Sequence, residues 1–274
     1  MQENKIEDSD YRLLDEALAS EAIKNTFRLG WEFITLNQKF TLTAMVIFIT
    51  LNILGMIPIL ALIFMVLSAV FGLSIQIHMG RTLYLSRNIK EYISEIENSN
   101  LETILNRYSA TAFGAYLGWV VLLLIFLVIF GVASGGTGLI NGNMSDAELI
   151  NALLTLGVPF LLVALILSYV QPLVQANIVM ANSFQDGFKA VFSIFSTNLW
   201  QKALQKSYFK YVTIFGTIII LLIFTFSFII GMITTLTGLT MIGNILLIII
   251  MYIFTIIMIA GSMMLKRLVD GPRY

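Results

Sequence analysis

The sequence predicts an all-α, polytopic membrane protein: six transmembrane helices arranged as three hairpins, with amphipathic interfacial helices on the cytoplasmic side. The first observation is composition, since 58% of the 274 residues are hydrophobic and only 12% are charged. Soluble domains average about 45–50% apolar and about 25% charged residues. The second is a set of long uncharged runs, and the third is the one-sided placement of the basic residues. Together they exclude an ordinary soluble enzyme and a disordered chain.

Four runs of the chain contain no Asp, Glu, Lys or Arg, and their lengths give the number of spans. The runs are 40–80, 108–145, 149–185 and 211–265. One span needs about 20 apolar residues. The first run therefore holds two spans, parted at the Gly55–Pro58 turn signal, and the last holds two, parted near Thr234–Gly238. The predicted spans are about 40–55, 58–79, 110–133, 150–174, 211–233 and 239–265.

The basic residues predict the orientation of these spans. All 16 Lys and Arg residues lie before span one, between spans two and three, between four and five, or after six. The positive-inside rule then places both termini in the cytoplasm. The predicted division is a cytoplasmic amphipathic segment over 1–39, a membrane domain over 40–266 and a cytoplasmic tail over 267–274. With no basic leader visible, span one is expected to act as an uncleaved insertion signal in a bacterial inner membrane.

Two segments beside the spans have apolar residues at helical spacing, which is typical of interfacial helices. They cover residues 21–34 and 184–199, and a line of lysines at intervals of four follows the second. One interpretation is that these helices pack under the bundle, and the other is that they bind anionic lipid. The residues predicted at the membrane surface are Phe27, Trp31, Phe184, Phe188, Phe192, Phe195, Lys202, Lys206 and Lys210.

A family resemblance rests on three short motifs in the second half of the chain. They are Pro172-Leu173-Val174, the segment Asp186–Phe192 and Asn198-Leu199-Trp200. The six-span arrangement with these motifs resembles the membrane domain of bacterial glycerophosphodiester phosphodiesterases and the YciC-like inner-membrane proteins of unknown function. The resemblance is to the membrane domain alone, so it implies no phosphodiesterase activity.

Few residues in the chain carry the chemistry that catalysis needs. The chain has no cysteine and one histidine, His78, so no metal or cofactor site is predicted and an intramembrane enzyme is disfavoured. Polar side chains inside spans usually form hydrogen bonds between helices, and the alternative is a substrate path near two prolines of span four, Pro159 and Pro172. The candidate polar path comprises Gln171, Gln175, Asn177 and Asn244.

These observations favour a non-enzymatic integral inner-membrane protein, either related to the envelope and its lipids or serving as a partner-binding scaffold. The alternative is a transporter or permease for a small neutral or lipidic solute. The expected partners are membrane lipids, anionic ones at the cytoplasmic face, and an unidentified membrane protein. Nucleic-acid binding is not expected, because the basic loops face the membrane.

Overall fold

The computed structural model describes residues 13–135 and 146–271, and throughout these ranges the regular structure is helical. A 3₁₀ turn over Ser193–Phe195 joins two of the α-helices. The α-helices are α1 (Leu13–Ala19), α2 (Ala22–Leu36), α3 (Gln38–Leu54), α4 (Ala61–Leu85), α5 (Ile89–Glu97), α6 (Leu101–Gly135), α7 (Asp146–Met180), α8 (Phe184–Phe192), α9 (Thr197–Ala203), α10 (Lys206–Thr237) and α11 (Thr240–Asp270).

Several of these helices are long and apolar enough to cross a bilayer, as the sequence predicted. In the described ranges they number five, or up to six if α2 and α3, which meet at 90°, count as one broken span. The three predicted hairpins are contacting pairs, α3 with α4, α6 with α7 and α10 with α11. The chain is therefore an all-α polytopic membrane protein, the form in which backbone polar groups are satisfied inside lipid.

The spanning helices run further than the hydropathy runs predict. Helices α6 and α7 contain 35 residues each, which is about 52 Å at 1.5 Å per residue against a hydrocarbon core of about 30 Å. Helix α7 continues through Pro159 and Pro172 as one element. The segment 184–199 is not one helix, since it breaks at the 3₁₀ turn between α8 and α9. The predicted loop between spans three and four falls largely on residues 136–145, outside the described ranges.

The short helices gather at one end of the bundle, which we call the basic end because lysines and arginines lie there. Asn37, at the bend between α2 and α3, accepts a hydrogen bond from the Phe40 amide at 3.0 Å. The same side chain donates to the Ile96 carbonyl at 3.0 Å, at the end of α5. Asn37 thus ties the bend to a neighbouring helix, which holds α2 across the end of the bundle.

Helix α5 is fastened beneath α2 by one buried hydroxyl. Tyr92 is fully buried and donates a hydrogen bond to the Leu29 carbonyl at 2.8 Å. Burial, together with the charge of Glu32, raises the pKa of Tyr92 well above its ordinary value. The hydroxyl therefore keeps its proton, and the hydrogen bond, throughout the physiological pH range.

Arg81 closes the basic end of α7. Its guanidinium donates to the Val179 carbonyl at 2.7 Å, to the Ala181 carbonyl, and to the Asn182 side-chain oxygen at 2.9 Å. The last carbonyls of a helix have no partner within the helix, and a cation beside them also complements the helix dipole. The guanidinium at the end of α4 thus supplies hydrogen bonds to the backbone carbonyl groups at the end of α7.

Helix α8 packs against α6 with almost no space between the two backbones. A β-carbon at Gly114 of α6 would collide with the Phe184 carbonyl oxygen, and one at Gly187 of α8 would collide with the Thr111 carbonyl oxygen. Gly118 lies one turn further along α6. A β-carbon added there would lie 2.9 Å from the Val191 side chain. The glycine pair Gly114 and Gly118 therefore serves packing within the chain, as small residues do between membrane helices.

We expect Gly187→Val to destabilise the protein by at least about 1–3 kcal/mol, because the collision is with backbone that no rotamer change relieves. Thermal unfolding of the purified protein in detergent would measure the loss. Gly216→Val is the matched control, since nothing lies within 4 Å of a β-carbon there. An equal melting temperature for the two variants would contradict the close packing of α6 and α8.

Candidate functional site

A cavity of about 850 Å³ lies between α3, α4 and α11, inside the membrane-spanning part of the bundle. Its lining runs from Met56 and Ala61 near the turn between α3 and α4 to Gln76 on α4. The 15 helical steps from Ala61 to Gln76 correspond to about 22 Å, most of the thickness of a hydrocarbon core. Small-molecule sites typically have volumes of about 300–1,000 Å³, so the cavity has the size of a ligand site.

The cavity exists because small residues stand on α4 where larger ones would fill the space. Ser68, Ala69 and Gly72 lie within about one turn of each other along its wall. A β-carbon at Gly72 would meet the Phe48 ring of α3 at 3.4 Å, which is ordinary contact. The two helices are therefore not forced together here, in contrast to the α6–α8 crossing.

Five uncharged polar side chains interrupt the apolar lining: Asn52, Ser68, Gln76, Tyr252 and Thr255. The Asn52 amide donates to the Phe48 carbonyl at 2.7 Å and to the Ser68 hydroxyl at 3.0 Å, which links α3 to α4. The Thr255 hydroxyl donates to the Met251 carbonyl of its own helix at 2.8 Å. These groups offer hydrogen bonds to a ligand without bringing any charge into the bilayer.

Two polar groups mark the deeper part of the cavity. Gln76 accepts a hydrogen bond from the Gln175 amide of α7 at 2.9 Å. The Tyr252 hydroxyl is buried and has no hydrogen-bond partner among the described residues. A buried hydroxyl without a partner costs about 1–3 kcal/mol. Tyr252 is therefore a polar group for which a ligand or a water molecule would supply the missing hydrogen bond.

One wall of the cavity belongs to the surface that faces lipid. Leu62 and Met65 of α4 and Met56 of the preceding turn line the cavity and are also largely exposed on the outside of the bundle. No Asp, Glu, Lys, Arg or His is among the residues that line it. Because a charge transferred from water to such a site would be unpaired, the lining suits an uncharged molecule.

The structure separates the four residues of the predicted polar path. Gln175 is buried against Gln76 and so touches the edge of the cavity. Asn177 instead donates to the Ser193 hydroxyl at 3.0 Å, nearer the basic end. Gln171 is half-buried on α7, and Asn244 is exposed near the start of α11. Neither of these two lines the cavity.

The residues predicted at the membrane surface differ in exposure. Trp31, Phe184 and Phe195 are exposed large apolar side chains. Phe27, Phe188 and Phe192 are half-buried, with Phe27 packed on the Phe215 ring of α10 at 5.8 Å between centroids. Lys206 and Lys210 are exposed, whereas Lys202 forms an ion pair with Asp270 at 2.6 Å.

His78 is held in place by hydrogen bonding and by rings. Its Nε2 atom lies 2.7 Å from the Ser99 hydroxyl. The rings of Phe33, Phe40 and Tyr108 surround it with centroids 6.1, 6.5 and 6.1 Å away. Within residues 13–135 and 146–271, no group of three or more His, Asp or Glu residues is placed to hold a metal ion. His78 therefore joins α4 to the segment before α6.

Sequence reasoning missed most of the cavity's polar lining. The sequence does not indicate Ser68, Gln76, Tyr252 or Thr255, because one serine, glutamine, tyrosine or threonine in an apolar run carries no signal by itself. One signal was present: Gln76 is the sole Asn or Gln within the predicted span 58–79. Its pairing with Gln175, 99 positions away in the sequence, is visible only in three dimensions.

In comparisons with protein-family models, with curated proteins and with solved structures, nothing matches this chain. The resemblance to the membrane domain of the phosphodiesterases and to the YciC-like proteins therefore remains a prediction. The functional argument rests on the geometry of the membrane domain itself.

We expect Gln76→Leu to lower the free energy of unfolding by about 0.5–2 kcal/mol, the range for hydrogen bonds between membrane helices. The variant leaves the Gln175 amide buried without its acceptor. The double variant Gln76→Leu/Gln175→Leu should lose less than the sum of the single losses, because it removes both partners. Thermal unfolding in detergent measures all three. Strictly additive losses would show that the two amides do not interact.

Proposed function

We propose that this integral membrane protein is not an enzyme and that it binds an uncharged lipidic molecule in the cavity between α3, α4 and α11. The observation that carries the proposal is the cavity itself, about 850 Å³ in volume and lined by apolar and uncharged polar residues. The proposed role of the protein is to bind lipids of the cell envelope.

A lipid suits the site better than a water-soluble solute does. Leu62 and Met65 line the cavity and are exposed at 69% and 55% on the bundle surface, so the wall that they form faces acyl chains. The Asn52–Ser68 pair and the Tyr252 hydroxyl provide polar contacts within the apolar wall. A neutral lipid with an ester or hydroxyl group matches both features.

The assignment as a non-enzyme is supported by the kinds of side chain around the cavity. Ser68 and Tyr252 are the lining hydroxyls besides Thr255, and no lining residue is a histidine or a carboxylate that would activate them. A serine or tyrosine nucleophile needs an adjacent base within hydrogen-bond reach. Ser68 instead accepts a hydrogen bond from the Asn52 amide.

The proposal places the protein in a bacterial inner membrane with both termini in the cytoplasm. Exposed lysines at the basic end, such as Lys189, Lys206 and Lys210, would then meet the anionic lipids of the cytoplasmic leaflet. The exposed rings of Trp31 and Phe195 suit the headgroup layer. This surface is also available to an unidentified membrane-protein partner.

Transport of the same class of molecule is the second candidate, and the Gln76–Gln175 hydrogen bond favours it. The bond lies between the cavity and α7, a helix with two internal prolines. Parting the two amides would extend the cavity toward α7. Reconstituted protein that moves a fluorescent neutral lipid between leaflets would support transport, and binding without movement would support the lipid-handling function.

We expect Ala69→Trp to reduce the amount of lipid that co-purifies with the protein by about tenfold, because the indole ring would occupy the cavity. Native mass spectrometry of the full chain, released from detergent, measures bound lipid per protein. Ile63→Trp is the matched control, since Ile63 lies on the same helix, is exposed to lipid and does not line the cavity. Equal lipid occupancy in both variants would refute the site.

The absence of native cysteine allows a clean test of orientation with single introduced cysteines. We expect a membrane-impermeant maleimide to label Thr240→Cys in intact cells, because this position begins α11 at the end opposite the basic end. Glu97→Cys, exposed at the end of α5, should be labelled only after the cells are permeabilised. The reverse labelling pattern would place the basic end outside and refute the proposed topology.

A further inference from the structure

A second, smaller cavity lies at the basic end of the bundle, between α7, α9 and α11. It has a volume of about 100 Å³, and its lining is largely polar. Ser196 and Asn198 border it at the start of α9, and Lys202 follows on the same helix. Lys266 and Asp270 face them from the last two turns of α11. This cavity shares no lining residue with the one between α3, α4 and α11.

The charges of this cavity sum to one positive unit. Lys202 Nζ lies 2.6 Å from Asp270 Oδ1, and Lys266 Nζ lies 3.1 Å from Asp270 Oδ2. The single carboxylate therefore bridges two ammonium groups and neutralises one of them. Each ammonium group has three N–H donors, so both retain donors beyond the one that faces Asp270. The bridge also fixes the spacing of the two lysines.

The cavity lies at the level of lipid headgroups. Lys266 is 26 residues beyond the first residue of α11, which is about 39 Å along the axis and beyond the core of about 30 Å. Two large apolar side chains beside α9 are exposed: Phe195, just before the helix, at 61% and Leu204, just after it, at 76%. In a bilayer these side chains insert among lipids and bring the mouth of the cavity to the headgroup layer.

We propose that this cavity binds the phosphate group of an anionic phospholipid, with Lys202 and Lys266 as the charged donors and Asn198 and Ser196 as neutral donors. Charge-assisted hydrogen bonds to phosphate oxygens are the strong kind, and two lysines on one anion match that chemistry. The volume accommodates one phosphate group, so the glycerol and acyl chains remain outside along Phe195 and Leu204. The site is independent of the lipid cavity proposed above.

The test is calorimetric titration of the full chain in detergent with dihexanoyl phosphatidylglycerol. Two parallel titrations use inorganic phosphate and dihexanoylglycerol, which carry the phosphate alone and the chains alone. We expect phosphatidylglycerol to bind and the other two compounds to bind at least tenfold more weakly. Inorganic phosphate that binds as tightly as the lipid would overturn the assignment to a headgroup.

Variants decide which residues form the site. Lys202→Gln should weaken phosphatidylglycerol binding about tenfold, the factor that corresponds to one charge-assisted hydrogen bond, and Lys202→Arg should restore most of it. Lys266→Gln should weaken phosphatidylglycerol binding by a similar factor. Lys90→Gln, an exposed lysine of α5 outside the cavity, is the control and should leave affinity unchanged. If Lys202→Gln lowers only the melting temperature while affinity is retained, the lysine serves the ion pair alone and the proposal is overturned.

Discussion

The burial of the second half of α11 is the constraint on which the rest of the bundle depends. From Phe254 to Val269 most side chains of this helix are buried, and α11 contacts α1, α2, α3, α4, α7, α9 and α10. Small residues permit this, as at Gly261, where the Phe215 ring occupies the space of a β-carbon. Because lipid competes with apolar contacts as an equal solvent, close packing and hydrogen bonds must hold these helices together.

The hydrogen bonds between helices involve charged side chains at the basic end of the bundle and uncharged ones further from it. Arg267 is 2% exposed and donates two hydrogen bonds to Asp15 of α1, at 2.7 and 2.6 Å, which fastens the start of the described chain to its end. Toward the opposite end the links between helices are uncharged, as in the Asn52–Ser68 and Gln76–Gln175 pairs. The two parallel hydrogen bonds make this a bidentate ion pair, and its position at the basic end keeps both charges out of the hydrocarbon.

Hydropathy predicted the helical class and the presence of several long apolar helices, because these depend on local composition. The chain turns at Gly55–Pro58 and again at Gly238, whose φ is 69°. Neither the cavity nor the small polar site could be predicted. Both depend on contacts between distant segments, such as α9 with α11, and on which face of α4 carries Ser68 and Gly72. The break between α8 and α9 could not be predicted from the sequence either, because the apolar periodicity continues across Ser193–Ser196.

The two cavities differ in size and polarity because packing density differs along the bundle. At the basic end the short helices α1, α2, α5, α8 and α9 fill the gaps between spans, so what remains there is a small, charged cavity of about 100 Å³. Toward the opposite end no described short helix packs between α3 and α4, and side chains such as Leu62 and Phe224 face outward. A larger cavity survives there because lipid can complete its wall. The same shortage of internal partners leaves the cavity unfilled and its outer wall exposed.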